Sequence, residues 1–332
     1  MNLKELSNKK RYDILFTDID GTLIDGTNDQ DGKTISTFEQ DLEKHRKLSD
    51  FYNSILKGNN IMVVVTSTFH NDSRKKLKNI DKVIDEKNKK KVLYFMSDKD
   101  RGTPEFINID KLIYKGIEIT LVKNKKEAVD KVLNYLKESN VEIGTIYGMG
   151  DSIADVDMLL RIKELGGITG LVADENIFGR YTPGYVVPSK ITHENIEEVA
   201  NNIAETEFRF ERHNLINKYR SLYGVEFIKY IRTSDEFKTL KKKQESRALE
   251  IQEKFLCGAL IRDDLVGLVY LSSLAFQYIM RNSNYEGNGI FYYDKDKYDE
   301  ILKLGENVST RVLERQSDLL LGRSIVKLFD NK

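Results

Sequence analysis

Ile14-Leu15-Phe16-Thr17-Asp18-Ile19-Asp20-Gly21-Thr22-Leu23-Ile24 joins an apolar run to two carboxylates spaced by two residues, followed by a Gly-Thr turn. Residues i and i+2 of a strand project to one side, and past the strand end they can splay around a common ligand. Two carboxylates held this close stay ionised only beside a cation, for which a divalent metal is the natural partner. The end of a parallel strand is also where open α/β sheets bind ligands. An Asx-turn or a calcium-binding turn uses the same residue types. The apolar residues 14–16 immediately upstream favour the strand end.

Outward from this segment, short β-branched runs alternate with longer amphipathic ones from Tyr12 to about Glu205, the pattern of a parallel sheet between helices. Strands are expected at Ile14–Thr17, Ile61–Val65, Val92–Met96, Ile117–Val122, Thr145–Tyr147, Thr169–Val172 and Tyr185–Val187. Helices are expected at Ile35–Leu56, Ser73–Leu77, Lys125–Glu138, Ala154–Leu165 and Glu194–Glu205, with Asn124, Asp151 and Thr192 as caps. The three prolines, Pro104, Pro183 and Pro188, all lie in this part. Beyond it Phe208–Tyr223, Ser234–Ile261, Leu265–Arg281 and Lys295–Phe329 carry apolar residues at helical spacing. The expected domains are therefore an α/β core over residues 1–204 and an all-α domain over 205–332.

A chain of 332 residues is long enough for two such cores. Lys plus Arg and Asp plus Glu both number 53, so net charge gives no argument for nucleic acid or an anionic membrane. The lysine-rich stretches Asn88–Lys91 and Lys241–Lys243 read as solvated surface. The one cysteine, Cys257, cannot form an internal disulfide, and zinc-ligand spacing is absent. Residues Met1–Arg11 lack the apolar segment of a secretory signal. Leu265–Ile279 is shorter than the roughly twenty residues that span a bilayer and reads as a buried helix. A cytoplasmic protein without a membrane partner is expected.

Three further segments carry chemistry-bearing residues. The run Ile61–Val65 ends in Thr66-Ser67-Thr68. The strand ending at Val122 is followed by Lys123, Lys125 and Lys126. Thr145–Tyr147 leads into Gly148-Met149-Gly150-Asp151-Ser152-Ile153-Ala154-Asp155-Val156-Asp157-Met158-Leu159. There the glycines let backbone approach a phosphate or metal, and Asp151 and Asp155 supply hard oxygen ligands four residues apart.

In this order, each at a strand end, the segments resemble the four motifs of the haloacid dehalogenase superfamily, and most closely its Cof-like sugar-phosphatase branch. The resemblance covers about residues 11–204. It implies a Rossmann-like core, a Mg²⁺ cofactor and phosphomonoester hydrolysis through an aspartyl phosphate on Asp18. Asp20 would protonate the leaving oxygen and later activate water. Thr66 would bind the phosphoryl group with Gly21, Ser67 and a lysine. Lys125 fits the Cof-like spacing to Ala128 and Val129, with Lys126 as its rival. Asp18, Asp20, Asp151 and Asp155 would be the metal ligands. Two departures stand out. Ser67-Thr68 replaces a Gly-Arg pair, removing an arginine that would touch substrate, and Ala154 replaces an asparagine.

Between Thr66 and Lys125 there is no room for a full sheet-type cap. A small lid within 69–122, drawn from Asp98–Asp110 with Lys99 or Arg101 facing an anion, is the most this interval offers. The expected substrate is a small phosphometabolite, a sugar phosphate or nucleotide. The alternatives are a phosphotransferase or phosphomutase, or a regulatory protein whose helical tail binds a protein partner or a second copy while the core acts as gate.

Overall fold

The computed structural model describes residues 10–23, 27–28, 34–35, 49–50, 52–67, 70–97, 110–174, 187–282, 285–286, 290–291 and 294–311. Two compact units meet at Val172/Ala173, the second running to Thr310. In the first, a sheet contains β1 (Arg11–Thr17), β2 (Asn60–Thr66), β3 (Val92–Ser97), β4 (Lys111–Tyr114), β5 (Ile117–Val122), β6 (Glu142–Gly150) and β7 (Ile168–Asp174). These seven strands run in the order β7-β6-β1-β2-β3-β5-β4. All neighbours are parallel except the β4–β5 hairpin. The architecture is mixed α/β with a mostly parallel sheet and helical crossovers.

The strands are apolar almost continuously because both faces are covered. On one face Leu15, Met62, Val64, Tyr94 and Met96 pack with Ile55 and Leu56 and with Leu77 and Ile80 of α1 (His70–Val83). The alternate residues Ile14, Phe16, Ile61, Val63, Val65 and Phe95 are equally inaccessible. Helix α2 (Lys125–Glu138) packs against β2, β3, β5 and β6 and against α3 (Val156–Glu164). Register aligns Thr17 with Val64 and with Met149, so the carboxyl ends of β1, β2 and β6 emerge at one edge.

Several expectations shift. Strand Lys111–Tyr114 falls in the interval read as a lid. Lys115 and Gly116, at φ 45° and 88°, form a two-residue hairpin turn whose left-handed backbone suits the twist of the flanking strands. Residues 98–109, the rest of that lid, lie outside the described residues, as do 185–186 of the last expected strand. Of the helix expected over Ile35–Leu56, Tyr52–Ile55 and Ser49–Asp50 are helical, while Ile35 pairs with Thr27 in a two-residue ladder.

The second unit contains α4 (Ile196–Glu207), α5 (Arg209–Tyr223), α6 (Phe227–Thr233), α7 (Asp235–Leu256), α8 (Arg262–Asn282) and α9 (Lys295–Leu302). Helix α4, expected to close the α/β core at residue 204, instead packs on α7 and α8. A fork from Arg247 Nε and Nη2 to the two Glu207 oxygens, 2.7 and 2.9 Å, ties α7 to α4. Helix α8 is buried along most of its length, as its sparse charges imply. Of the helix expected over Lys295–Phe329, the stretch 303–311 is overturned: α9 stops at Leu302, a short 3₁₀ segment follows, and Val308–Arg311 is a strand, while residues 312–329 lie outside the described residues. Gly305 and the β-branched Val308 and Thr310 disfavour continuing the helix. The unit is thus helical with short strand segments rather than all-α. Among the described residues no helix is long and apolar enough to cross a membrane.

Phe95 sits at the centre of this sheet with no exposed surface. Phe95→Ala is expected to lower the unfolding free energy by about 3–5 kcal/mol, read from urea denaturation midpoints.

Candidate functional site

Strand β1 ends at Thr17, and the next residue, Asp18, donates its backbone N–H to the Met149 carbonyl at 3.1 Å. This bond joins the tip of β1 to β6, whose own end delivers Gly150 and Asp151. Carboxylate oxygens of Asp18, Asp151 and Asp155 come within 4.8 Å of one another, and all three residues are buried. Glycine makes the approach possible. Gly21 has φ +81°, and a Cβ there would lie 1.6 Å from Asp151 Oδ2; a Cβ on Gly150 would lie 2.4 Å from that of Asp155.

Lys125 opens α2 and is 2 % exposed. Its Nζ lies 2.7 Å from Asp18 Oδ1 and 2.6 Å from Asp155 Oδ1. An ammonium in the first turn of a helix opposes the helix dipole, and here two carboxylates offset that cost. Asn124 caps the helix, accepting the Glu127 N–H at 2.9 Å, and so sets where Lys125 enters the core. Lys123 and Lys126 are exposed. Of the three candidates, Lys125 is the one brought to the aspartates.

Asp155 belongs to the frame as well as to the cluster. Its Oδ2 accepts the Asp151 N–H at 3.0 Å, the Ser152 N–H at 2.9 Å and the Ser152 hydroxyl at 2.9 Å. The turn after β6 is therefore closed by Ser152 and Asp155, not capped by Asp151. At α4, likewise, the expected cap Thr192 gives its N–H to Asn195 Oδ1 at 2.7 Å, and Asn195 occupies the cap position.

Asp20, expected among the metal ligands, is not brought into the cluster: its Oδ1 accepts from Lys76 at 2.6 Å. Thr66 is inaccessible at the end of β2, and Ser67 beside it is exposed. Two participants escaped the sequence reading. Thr22 Oγ1 reaches Asp151 Oδ1 at 3.4 Å, and Lys76 is buried on α1. Lys76 precedes Ile80 and Ile84 by four and eight residues, the spacing of the buried face, and that was the available signal.

Burial is the largest influence on Asp18; with the repulsion of Asp155 and Asp20 it outweighs Lys125 and pushes the carboxyl up to about 7. Burial acts against the Lys125 charge, but the Asp155 and Asp18 carboxylates prevail and raise its pKa above the ordinary lysine range. Were all three carboxylates ionised, the one ammonium would leave two negative charges on hard oxygen donors. This donor set fits one divalent cation such as Mg²⁺. Without a cation, proton uptake by Asp18 relieves part of the same charge.

Two outcomes follow for the metal-free protein. The folded Asp18 carboxyl keeps its proton to about pH 7, against 3.8 for an ordinary aspartate. Its contribution to stability is complete below the lower value and is lost as pH rises through the upper one. Thermal scans should therefore show a drop in melting temperature between pH 6 and pH 8 that added Mg²⁺ reverses, because a cation favours the carboxylate. Lys125→Met strands two buried carboxylates without their ammonium and is expected to cost about 3–5 kcal/mol in chemical denaturation. In comparisons with known proteins, no family model matches the chain, and neither does any curated protein or solved structure.

Proposed function

We propose that the first unit is a Mg²⁺-dependent phosphomonoester hydrolase of the haloacid dehalogenase type, with a Rossmann-like core, acting on a small phosphometabolite such as a sugar phosphate or nucleotide. The observation that carries this reading is the buried Asp18–Asp151–Asp155 cluster with Lys125 between two of its members, at the carboxyl edge of parallel strands. Open α/β sheets bind ligands at that edge.

In the proposed reaction a carboxylate oxygen of Asp18 attacks phosphorus, the bond from phosphorus to the ester oxygen breaks, and the leaving oxygen takes a proton from Asp20. Water then attacks the phosphorus of the aspartyl phosphate, giving its proton to Asp20, and inorganic phosphate departs with the Asp18 carboxylate restored. Bound Mg²⁺ supplies charge neutralisation, screening the nucleophile from the phosphate dianion. Lys125 contributes a fixed positive charge beside Asp18, where negative charge gathers during transfer. Thr66, at the neighbouring strand end, is the hydroxyl proposed to orient the phosphoryl oxygens.

The test is phosphate release over a panel of phosphorylated metabolites with Mg²⁺ present. Turnover of at least one member, reduced to background by Asp18→Asn in a protein of unchanged fold by circular dichroism, is the expected result. Turnover that survives Asp18→Asn defeats the proposal.

A further inference from the structure

Lys76 is 3 % exposed, and its ammonium donates to Asp20 Oδ1 at 2.6 Å from a helix fifty-six residues along the chain. The other Asp20 oxygen, Oδ2, is buried and has no hydrogen-bond partner among the described residues. The two carboxylates of Asp18-Ile19-Asp20 thus belong to different lysines. Asp18 shares Lys125 with Asp155, and Asp20 has Lys76. Burying an ion pair contributes little net stability relative to apolar side chains of the same shape, because both ions must leave water. What it does contribute is geometry, since an ammonium on one oxygen fixes the orientation of the whole carboxylate. A buried acceptor left without a partner destabilises the fold unless something fills it.

We infer that Lys76 is a positioning residue that clamps Asp20 through Oδ1, holds it apart from the Asp18–Asp151–Asp155 cluster, and presents Oδ2 as the single oxygen that meets the substrate's leaving group. The inference rests on the reaction proposed above. Lys76 touches neither phosphorus nor the leaving oxygen; it acts through Asp20. The clamp matters most for leaving groups that depart poorly as anions, such as the alkoxide of a sugar or other alkyl phosphate. It matters least for a phenolate that leaves without help.

The experiment is a kinetic double-mutant cycle on the full-length chain with Mg²⁺, using wild type, Lys76→Met, Asp20→Asn and the double variant. Each is assayed on p-nitrophenyl phosphate and on the best alkyl phosphate of the panel. Lys76→Met is expected to lower kcat on the alkyl phosphate by about 10- to 100-fold, up to the lower end of the roughly 10²- to 10⁴-fold that general acid–base catalysis contributes, because Asp20 itself remains, with a smaller loss on the aryl ester. Lys76→Arg is expected to recover most of it. In the Asp20→Asn background, removing Lys76 is expected to cost nothing further, since a residue acting through another shows no independent effect.

Losses that multiply in the double variant, or that are equal on both esters, overturn the clamp. So does Lys76→Met with wild-type kinetics while Asp18→Asn is inactive, and that result leaves the aspartyl-phosphate reaction standing. A wild-type protein without turnover on any ester overturns the reaction itself and the clamp with it. Should Lys76→Met not fold, Lys76→Gln, which keeps a donor in the same buried slot without the charge, carries the same cycle.

Discussion

The ammonium of Lys125, wedged between Asp18 and Asp155, is the interaction on which the rest of the first unit's working edge depends. Buried carboxylates repel one another in a medium that screens them poorly, and a fold that gathers three within 4.8 Å must supply positive charge from its own chain, from protons or from solution. Lys125 supplies a fixed share, and the raised Asp18 carboxyl marks what is left over. Proton uptake by Asp18 relieves part of that charge, and a divalent ion could take the proton's place. The metal binding and the chemistry proposed for Asp18 would have the same origin in this residual charge.

Backbone geometry makes the gathering possible. Parallel pairing of β1 with β2 and β6 brings three strand ends to one edge, and the bond from Asp18 N–H to the Met149 carbonyl carries the alignment one residue beyond the strand. At that point side-chain volume becomes the constraint. Gly21 stands where any Cβ would collide with Asp151, and it takes a left-handed φ of +81° that glycine adopts without strain. Asp155 spends one oxygen on the turn that follows β6 and the other on Lys125, so the same carboxylate builds the loop and joins the charge balance.

The second unit is organised on different terms. Its helices bury a continuous apolar face of α8, and its best-defined polar tie is the fork between Arg247 and Glu207. Helix α4 packs on α7 and α8 and buries Ile196, Val199, Ala200 and Ile203. An amphipathic helix shows that it has an apolar face, not which neighbour will cover it.

Local residue order by itself determined the alternation of strand and helix and the placement of four segments carrying acidic, hydroxyl and basic residues at strand ends, because such features are periodic or contiguous and can be read within one window of the chain. That Asp18 meets Asp151 and Asp155, far along the chain, was implied only by the resemblance to haloacid dehalogenases, which put Asp20 in the same set; the parallel pairing of β1 with β6 brings the first three together and leaves Asp20 with Lys76. Lys125 was favoured only by the resemblance to the Cof-like motif, with Lys126 left as its rival; burial separates them, because α2 turns Lys125 inward with Ala128 and Val129 and leaves Lys126 in solvent. Lys76 and its hold on Asp20 were decided by tertiary structure alone, since the partners lie far apart in sequence and a lysine at the buried spacing of a helix is ordinarily a stem with its charge in water. The same holds for the side on which α4 packs, which depends on what lies across the interface, and no stretch of sequence records its own neighbours. The early end of α9, by contrast, has a local signal in Gly305 and the β-branched Val308 and Thr310.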